Sequence, residues 1–353
     1  MNGDAAGAAS VSGSQPAQTG ERGWRRLLPA VAVFLFVQSL PLRALVPIEQ
    51  TLLLLVPALA ACAWVAWRNG GRIWFALVWT GVAMVALSRP MAGDPSYVAF
   101  ARGWALVLAA AFGAFGLAFR TKPFFTRAVW TLSAASVLFG VVLFASGVSS
   151  RTVERVISAE LSDRVESSVA SWRRPTTTPE WAELERKSPE STKAIGETLD
   201  AMETQMRAIP PFGTEFFPAI LLLESLVALG LAWSLHHRLS RTRIGPPIAQ
   251  LREFRFEDQF IWGIIAGLVL VLIPRFAAYK TIGLNLLLFF GVLYAVRGLA
   301  VLAWFLLSPG RWMGLVIVSV FVVLWPFPLS LGLGDTYFDW RRRVRPSNQG
   351  SSQ

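Results

Sequence analysis

The chain has 353 residues, of which 54% are hydrophobic and 16% are charged. Soluble domains carry about 25% charged residues, so this composition excludes an ordinary soluble enzyme. The apolar residues also form runs of about 17–25 residues, the length that spans the hydrocarbon core of a bilayer. A single cysteine excludes a disulfide scaffold, and two histidines leave little material for a metal or haem site. We therefore expect an integral membrane protein without a metal ion or cofactor.

The first 147 residues divide into a polar tail and a series of apolar runs. Residues 1–23 are rich in glycine, alanine, serine and glutamine, which predicts a disordered tail. Residues 24–147 are predicted to form about five membrane helices. The run Leu27–Leu40 is taken as a true span, because further apolar runs follow it and no cleavage site is evident. The later runs of this part cover residues 46–67, 73–88, 97–118 and 124–147.

Residues 148–213 form the one sizeable segment between predicted spans. Six apolar residues recur there at helical spacing and predict an amphipathic helix whose stripe packs on the membrane portion or on lipid. Proline follows Thr178 and Ser188, a pattern typical of N-caps, so two more helices are expected near 179–187 and 189–208. Pro210-Pro211 is expected to close this helical cap. The stripe consists of Val153, Ile157, Leu161, Val165, Val169 and Trp172.

The C-terminal part, residues 214–338, is predicted to return to the membrane before a basic tail at 339–353. The segment Trp325–Pro328 contains two prolines, which predict a break or re-entrant turn in the last run. The sequence thus predicts an all-α polytopic membrane bundle with about eight or nine membrane segments and one helical insertion. The apolar runs of this part cover residues 214–235, 259–274, 282–307 and 312–333.

The net charge of +11 is unevenly distributed. Residues 151–207 carry nine basic and eleven acidic residues, whereas the links 68–72, 119–127 and 236–258 are basic. Basic links face the cytoplasm, so we expect a bacterial inner-membrane protein with both termini inside and the cap outside. Because this rule accounts for the basic residues, we expect no nucleic-acid partner. The expected partners are the lipid bilayer and a membrane or cytoplasmic protein.

Charged side chains within the spans are the best pointers to function, because a charge at the bilayer centre costs about 2.5–3.5 kcal/mol. Glu224 lies in the middle of one run and Arg297 just past the middle of another. Their opposite charges predict an ion pair, or a polar cavity that both residues line and that Asn285 joins. In the alternative, structural interpretation, Glu224 is protonated, Arg297 snorkels and Asn285 bonds a neighbouring helix.

The last membrane segment is followed by a polar cluster of Asp335, Asp339 and Arg341. Acids and arginines at the predicted cytoplasmic edge are expected to pair and to fix the tail against the bundle. Docking of a partner is the alternative role for this cluster.

Two C-terminal stretches resemble a known family. Asn285–Leu288, Tyr294 and Arg297–Val301 are similar to a late span of the YybS-like family of uncharacterised bacterial multi-pass membrane proteins. Leu331–Asp335 and Phe338–Arg341 are similar to the end of that family. The resemblance implies a helical bundle with the fold of the substrate-binding (S) components of energy-coupling-factor vitamin importers. It implies the handling of a small solute and assigns no binding residue.

Two functional hypotheses follow. The first is a transport-related, S-component-like protein with a polar cavity near Glu224 and Arg297. The second is a non-transporting scaffold or envelope-assembly factor that acts through the apolar stripe of the 148–213 cap. No nucleophile–base set and no motif such as His-Glu-x-x-His or Gly-x-Ser-x-Gly is visible, so we expect no catalytic residues and no enzyme. A membrane enzyme is a third option.

Overall fold

The computed structural model describes most of the chain. The described residues are helical throughout, with turns and short links between the helices and no β-strand among them. Five of the helices are long and apolar enough to cross a membrane. The predicted all-α polytopic membrane bundle is therefore confirmed. The described residues are 44–248, 251–306, 324 and 326–343.

Three candidate membrane-spanning helices and one shorter apolar helix, α2, form the N-terminal part. The helix α3 begins after Asp94, whose side chain accepts hydrogen bonds from the amides of Ser96 and Tyr97 and so caps the helix. The ends of the four predicted runs, from 46–67 through 124–147, agree with the ends of these helices to within two residues. The predicted first span lies outside the described residues. The helices are α1 (Ile48–Arg68), α2 (Ile73–Ser88), α3 (Pro95–Ala118) and α4 (Phe124–Ala145).

Three helices form the cap: α5 (Ser150–Arg173), α6 (Pro179–Lys187) and α7 (Pro189–Arg207). The Thr178 side chain accepts a hydrogen bond from the amide of Trp181 and caps α6 as predicted. Ser188 occupies the N-cap position of α7 as predicted, but its side chain makes no capping hydrogen bond. An ion pair of 2.6 Å between Arg173 and Glu203 joins α5 to α7.

The central helix is α8 (Ile209–Leu239), which continues from the cap into the bundle without a break. Pro210 and Pro211, expected to close the cap, lie in the first turn of α8, directly after the last cap helix ends at Arg207. The first amides of a helix have no intrahelical acceptor, so proline costs no hydrogen bond there. With 31 residues, α8 exceeds the length needed to span the membrane, and its first turns belong to the cap end.

The C-terminal part contains α9 (Ile261–Leu272), α10 (Lys280–Leu306), α11 (Pro326–Phe338) and the short α12 (Trp340–Arg343). The predicted break at Trp325–Pro328 falls where α11 begins, and this helix continues to Phe338, beyond the expected end of the run. Residues 307–323 and 325, which hold most of the predicted last span, lie outside the described residues.

The backbones of α10 and α11 are in direct contact at two glycines. A Cβ atom on Gly298 would overlap the carbonyl oxygen of Pro328, and one on Gly332 would overlap that of Tyr294. Glycine is required at both positions because a backbone carbonyl cannot move aside as a flexible side chain does. This close approach fixes α11 against α10.

We expect Gly332→Ala to lower the free energy of unfolding by about 1–3 kcal/mol, because the new methyl group meets backbone atoms. Thermal unfolding of the purified protein in detergent measures the change. Gly140→Ala is the matched control, since nothing lies within 4 Å of a Cβ atom at that exposed helical position. Equal melting temperatures for the two variants would contradict the close contact.

Candidate functional site

The Glu224 carboxyl group of α8 is buried against α1. Its Oε2 atom accepts a hydrogen bond of 2.6 Å from Nε2 of Gln50, and its Oε1 atom accepts one of 2.8 Å from the hydroxyl group of Thr51. Only 4% of Glu224 and 2% of each partner is exposed to solvent. The two carboxyl oxygens are therefore both bonded by side chains from the first turn of α1.

The polar contacts continue from Gln50 towards the cap. The hydroxyl group of Tyr97, in the first turn of α3, donates a hydrogen bond of 2.5 Å to Oε1 of Gln50. The guanidinium group of Arg164 lies 4.7 Å from the centre of the Tyr97 ring, within the range of a cation–π interaction. Gln50 thus uses both ends of its amide to connect Glu224 with Tyr97.

The outer end of this series lies on α5. Nε of Arg164 donates to Oε1 of Glu160 at 2.8 Å, and Oε2 of Glu160 accepts the amide of Asp94 at 3.0 Å. Gly93 lies so close to the Glu160 carboxyl group that a Cβ atom there would overlap it, and its φ of +117° favours glycine. We call the five side chains Glu224, Gln50, Tyr97, Arg164 and Glu160 the polar series.

The depth of Glu224 differs from the sequence prediction. The residue is central in α8, but its partners are the third and fourth residues of α1, so it lies near the cap end of the bundle. The cause is the length of α8, whose first turns project into the cap. The central position of Glu224 in its apolar run therefore did not predict how deep its side chain lies in the membrane.

Arg297 is buried in a different polar cluster. Its guanidinium group contacts Asp258 at 2.8 Å and Asp335 at 3.0 Å, next to the link that follows α8 and therefore away from the cap. The predicted ion pair between Glu224 and Arg297 is wrong, because each is bonded to other side chains. Opposite charges near the centres of two runs did not imply matching depth.

The C-terminal polar residues join Arg297 in this ion cluster. Arg341 donates to Oδ2 of Asp335 at 2.6 Å and to the carbonyl oxygen of Phe254 at 3.1 Å. Asp339 forms an ion pair with Arg255 of the preceding link. The cluster thereby connects the link 251–260, α10, α11 and the short α12.

Asn285 is inserted beside a proline in α8. Its Oδ1 atom accepts the amide of Ala219, and its Nδ2 atom donates to the carbonyl oxygens of Glu215 and Thr281, each at 2.9 Å. An uninterrupted helix joins the amide of residue 219 to the carbonyl of residue 215 directly. Asn285 therefore joins α10 to α8 next to Pro218. The hydrogen bonds of its side chain go to backbone groups, and not to Glu224 or Arg297.

A cleft of about 1030 Å³ lies between α1, α2 and α5, and we call it the cap cleft. Arg164 and Glu160 line this cleft and also belong to the polar series, so the series connects the buried Glu224 carboxyl to an open surface. Sequence analysis missed this route. The adjacent polar residues Gln50 and Thr51 at the start of an apolar run were the one signal that could have indicated it.

The apolar stripe of α5 faces away from the cap cleft and is covered by the chain itself. Ile157, Leu161 and Val165 are buried, the first two within the main core and the third against Met206 of α7. The stripe is therefore unavailable as a docking surface for a scaffold function, contrary to the surface assigned to it from the sequence. Packing on the membrane portion, the first expectation for this stripe, is confirmed.

Comparison with known proteins gives one family match. The family described as "Predicted membrane protein (DUF2232)" matches residues 180–334, less than half of the chain. This supports an uncharacterised family of membrane proteins and covers α8 with Glu224, but neither α1 nor α3. Neither a curated protein nor a solved structure is significantly similar to the chain. The similarity to YybS-like proteins and to S components stays a prediction.

We expect Thr51→Val to lower the free energy of unfolding by about 1–3 kcal/mol, because it leaves one oxygen of a buried carboxyl group without its donor. Thermal unfolding in detergent measures this loss. Thr198→Val, on the exposed face of α7, makes the same chemical change where the hydroxyl group only bonds the helix backbone at Ala194. A similar loss in both variants would show that the bond to Glu224 contributes nothing.

Proposed function

We propose that the chain is a transport-related membrane protein that binds a small solute in the cap cleft. The polar series carries this proposal, since it connects a buried ionisable side chain to an open cleft through side chains of four helices. Ionisable residues within membrane proteins are costly and typically mark substrate or ion pathways. The implied S-component-like fold, with its small-solute handling, supports the same function.

The polar series offers a physical link between the cleft and Glu224. A solute that bonds Arg164 or Glu160 competes with the bond between them and so changes the position of Arg164 over Tyr97. Tyr97 and Glu224 bond opposite ends of the Gln50 amide, so a shift at one end alters the bond at the other. Solute binding at the cap is in this way coupled to a carboxyl group inside the bundle.

We propose a binding role and no catalysis for this site. Both oxygens of Glu224 are engaged as hydrogen-bond acceptors, and the neighbouring hydroxyl groups of Thr51 and Tyr97 donate to buried acceptors. The alternative scaffold role was based on the apolar stripe of α5, and this stripe is covered by the chain itself. The ion cluster around Arg297 has the geometry of a structural closure and takes no part in the proposed solute site.

The experiment is a thermal-shift screen of vitamins, amino acids and single-chain amphiphiles on the purified protein, with Glu224→Gln tested beside it. We expect a solute that stabilises the wild-type protein to bind at least about tenfold more weakly to Glu224→Gln, because the new NH2 group cannot accept the bond from Gln50 or Thr51 and so disturbs the side chains that lead to the cleft. The variant keeps the shape of the side chain, so its melting temperature without solute is measured as a check on folding.

Arg297→Ala is the matched control, because it also removes a buried charge but belongs to the ion cluster away from the cap. We expect it to lower the melting temperature without changing the solute affinity. Equal affinity of the solute for wild-type and Glu224→Gln protein would overturn the proposed function.

A further inference from the structure

The cap cleft has an apolar wall and a polar wall. The apolar wall consists of Leu52 and Val56 of α1 and of Val82 and Val85 of α2, residues spaced one helical turn apart on each helix. Leu52, Val82 and Val85 are each more than 40% exposed. A ligand that fills this cleft must therefore cover hydrocarbon side chains as well as satisfy polar ones.

The polar wall comes from one face of α5. Ser167 and Ser168 lie three and four residues after Arg164, and Ser171 lies four and three residues after these two serines, which places the four residues on the same side of the helix. Arg89, directly after α2, also lines the cleft. Both arginines are strong donors to phosphate oxygens.

Carboxyl groups line the same cleft. Glu49, Glu160 and Asp163 contribute negative charge beside the two arginines, so the cleft holds charged groups of both signs. A headgroup with one anionic and one cationic part matches such a lining better than a group of single charge.

The polar and apolar parts follow one another in depth. On α1, Glu49 precedes Leu52 and Val56 towards the middle of the bundle, and on α2, Arg89 follows Val82 and Val85 at the cap end. Charged side chains thus lie at the cap end and hydrocarbon side chains lie deeper. This is the order of headgroup and acyl chain in one leaflet of a bilayer.

We propose that the solute of the cap cleft is a zwitterionic amphiphile, with its hydrocarbon chain on the apolar wall and its phosphate and ammonium groups under α5. This inference rests on the proposed function and names the class of its ligand. A ligand without a hydrocarbon chain contacts only the polar wall, so it makes fewer of the van der Waals contacts that the cleft offers.

The test uses the full chain in a neutral maltoside detergent, with native mass spectrometry as the readout. The probes are dodecanoyl lysophosphatidylethanolamine, its headgroup glycerophosphoethanolamine, and the uncharged monododecanoylglycerol. We expect the lysophospholipid to bind at least about tenfold more tightly than either of the other two, since each lacks one half of the interaction.

Two variants locate the binding site. Val82→Trp fills the apolar wall and Arg89→Ala removes one guanidinium group, and we expect each to weaken lysophospholipid binding about tenfold or more. The controls are Val137→Trp, at an exposed apolar position of α4, and Arg151→Ala, at the exposed start of α5. Neither control residue lines the cap cleft, so both variants should bind as the wild type does.

Three outcomes would overturn the inference. Tight binding of glycerophosphoethanolamine alone would show a water-soluble ligand and would leave the proposed function intact. Equal binding of lysophospholipid to wild type and Val82→Trp would place the lipid elsewhere. A disulfide between Phe34→Cys and Val82→Cys, in a Cys62→Ser background, would show that the N-terminal run of this chain covers the apolar wall. A different result overturns the proposed function: every solute that binds the protein has the same affinity for wild type and Glu224→Gln.

Discussion

A carboxyl group in a medium of low dielectric needs hydrogen-bond partners, and this constraint explains the arrangement of α1, α3 and α8. Glu224 is bonded by two neighbouring side chains of α1, and one of these is bonded by Tyr97 of α3. An unpaired buried polar group costs far more than a paired one contributes, so the three helices cannot shift relative to one another without a penalty. The polar series therefore fixes helix register at the cap end.

The opposite end of the C-terminal helices is held by different interactions. Arg297 and Arg341 share the buried carboxyl group of Asp335, and the backbones of α10 and α11 meet at Gly298 and Gly332. Buried ion pairs contribute modestly to stability but strongly restrict geometry, because breaking one leaves a charge unpaired. This ion cluster closes the end of the C-terminal helices, and it is separate from the cap end, where we propose that a solute binds.

Much of the fold could be predicted from the sequence, whereas most of the site could not. Apolar runs and helix caps gave the helices, because hydrophobicity and capping act within a few residues. The contact between Glu224 and Gln50 joins residues 174 positions apart, and a single sequence holds no local trace of it. The predicted pair of Glu224 and Arg297 failed because depth was inferred from the centre of each run, whereas Glu224 bonds the first turn of α1 and Arg297 bonds Asp258 in the link after α8.

The insertion of Asn285 beside Pro218 has a consequence for how the cap moves. Proline lacks an amide hydrogen, and a side chain that bonds the groups of an opened turn lets a helix bend there at low cost. This point lies nine residues into α8, between the cap and Glu224. Any bend of α8 is therefore expected at this turn, between the cap and Glu224, while the lower two-thirds of the helix stays packed in the bundle.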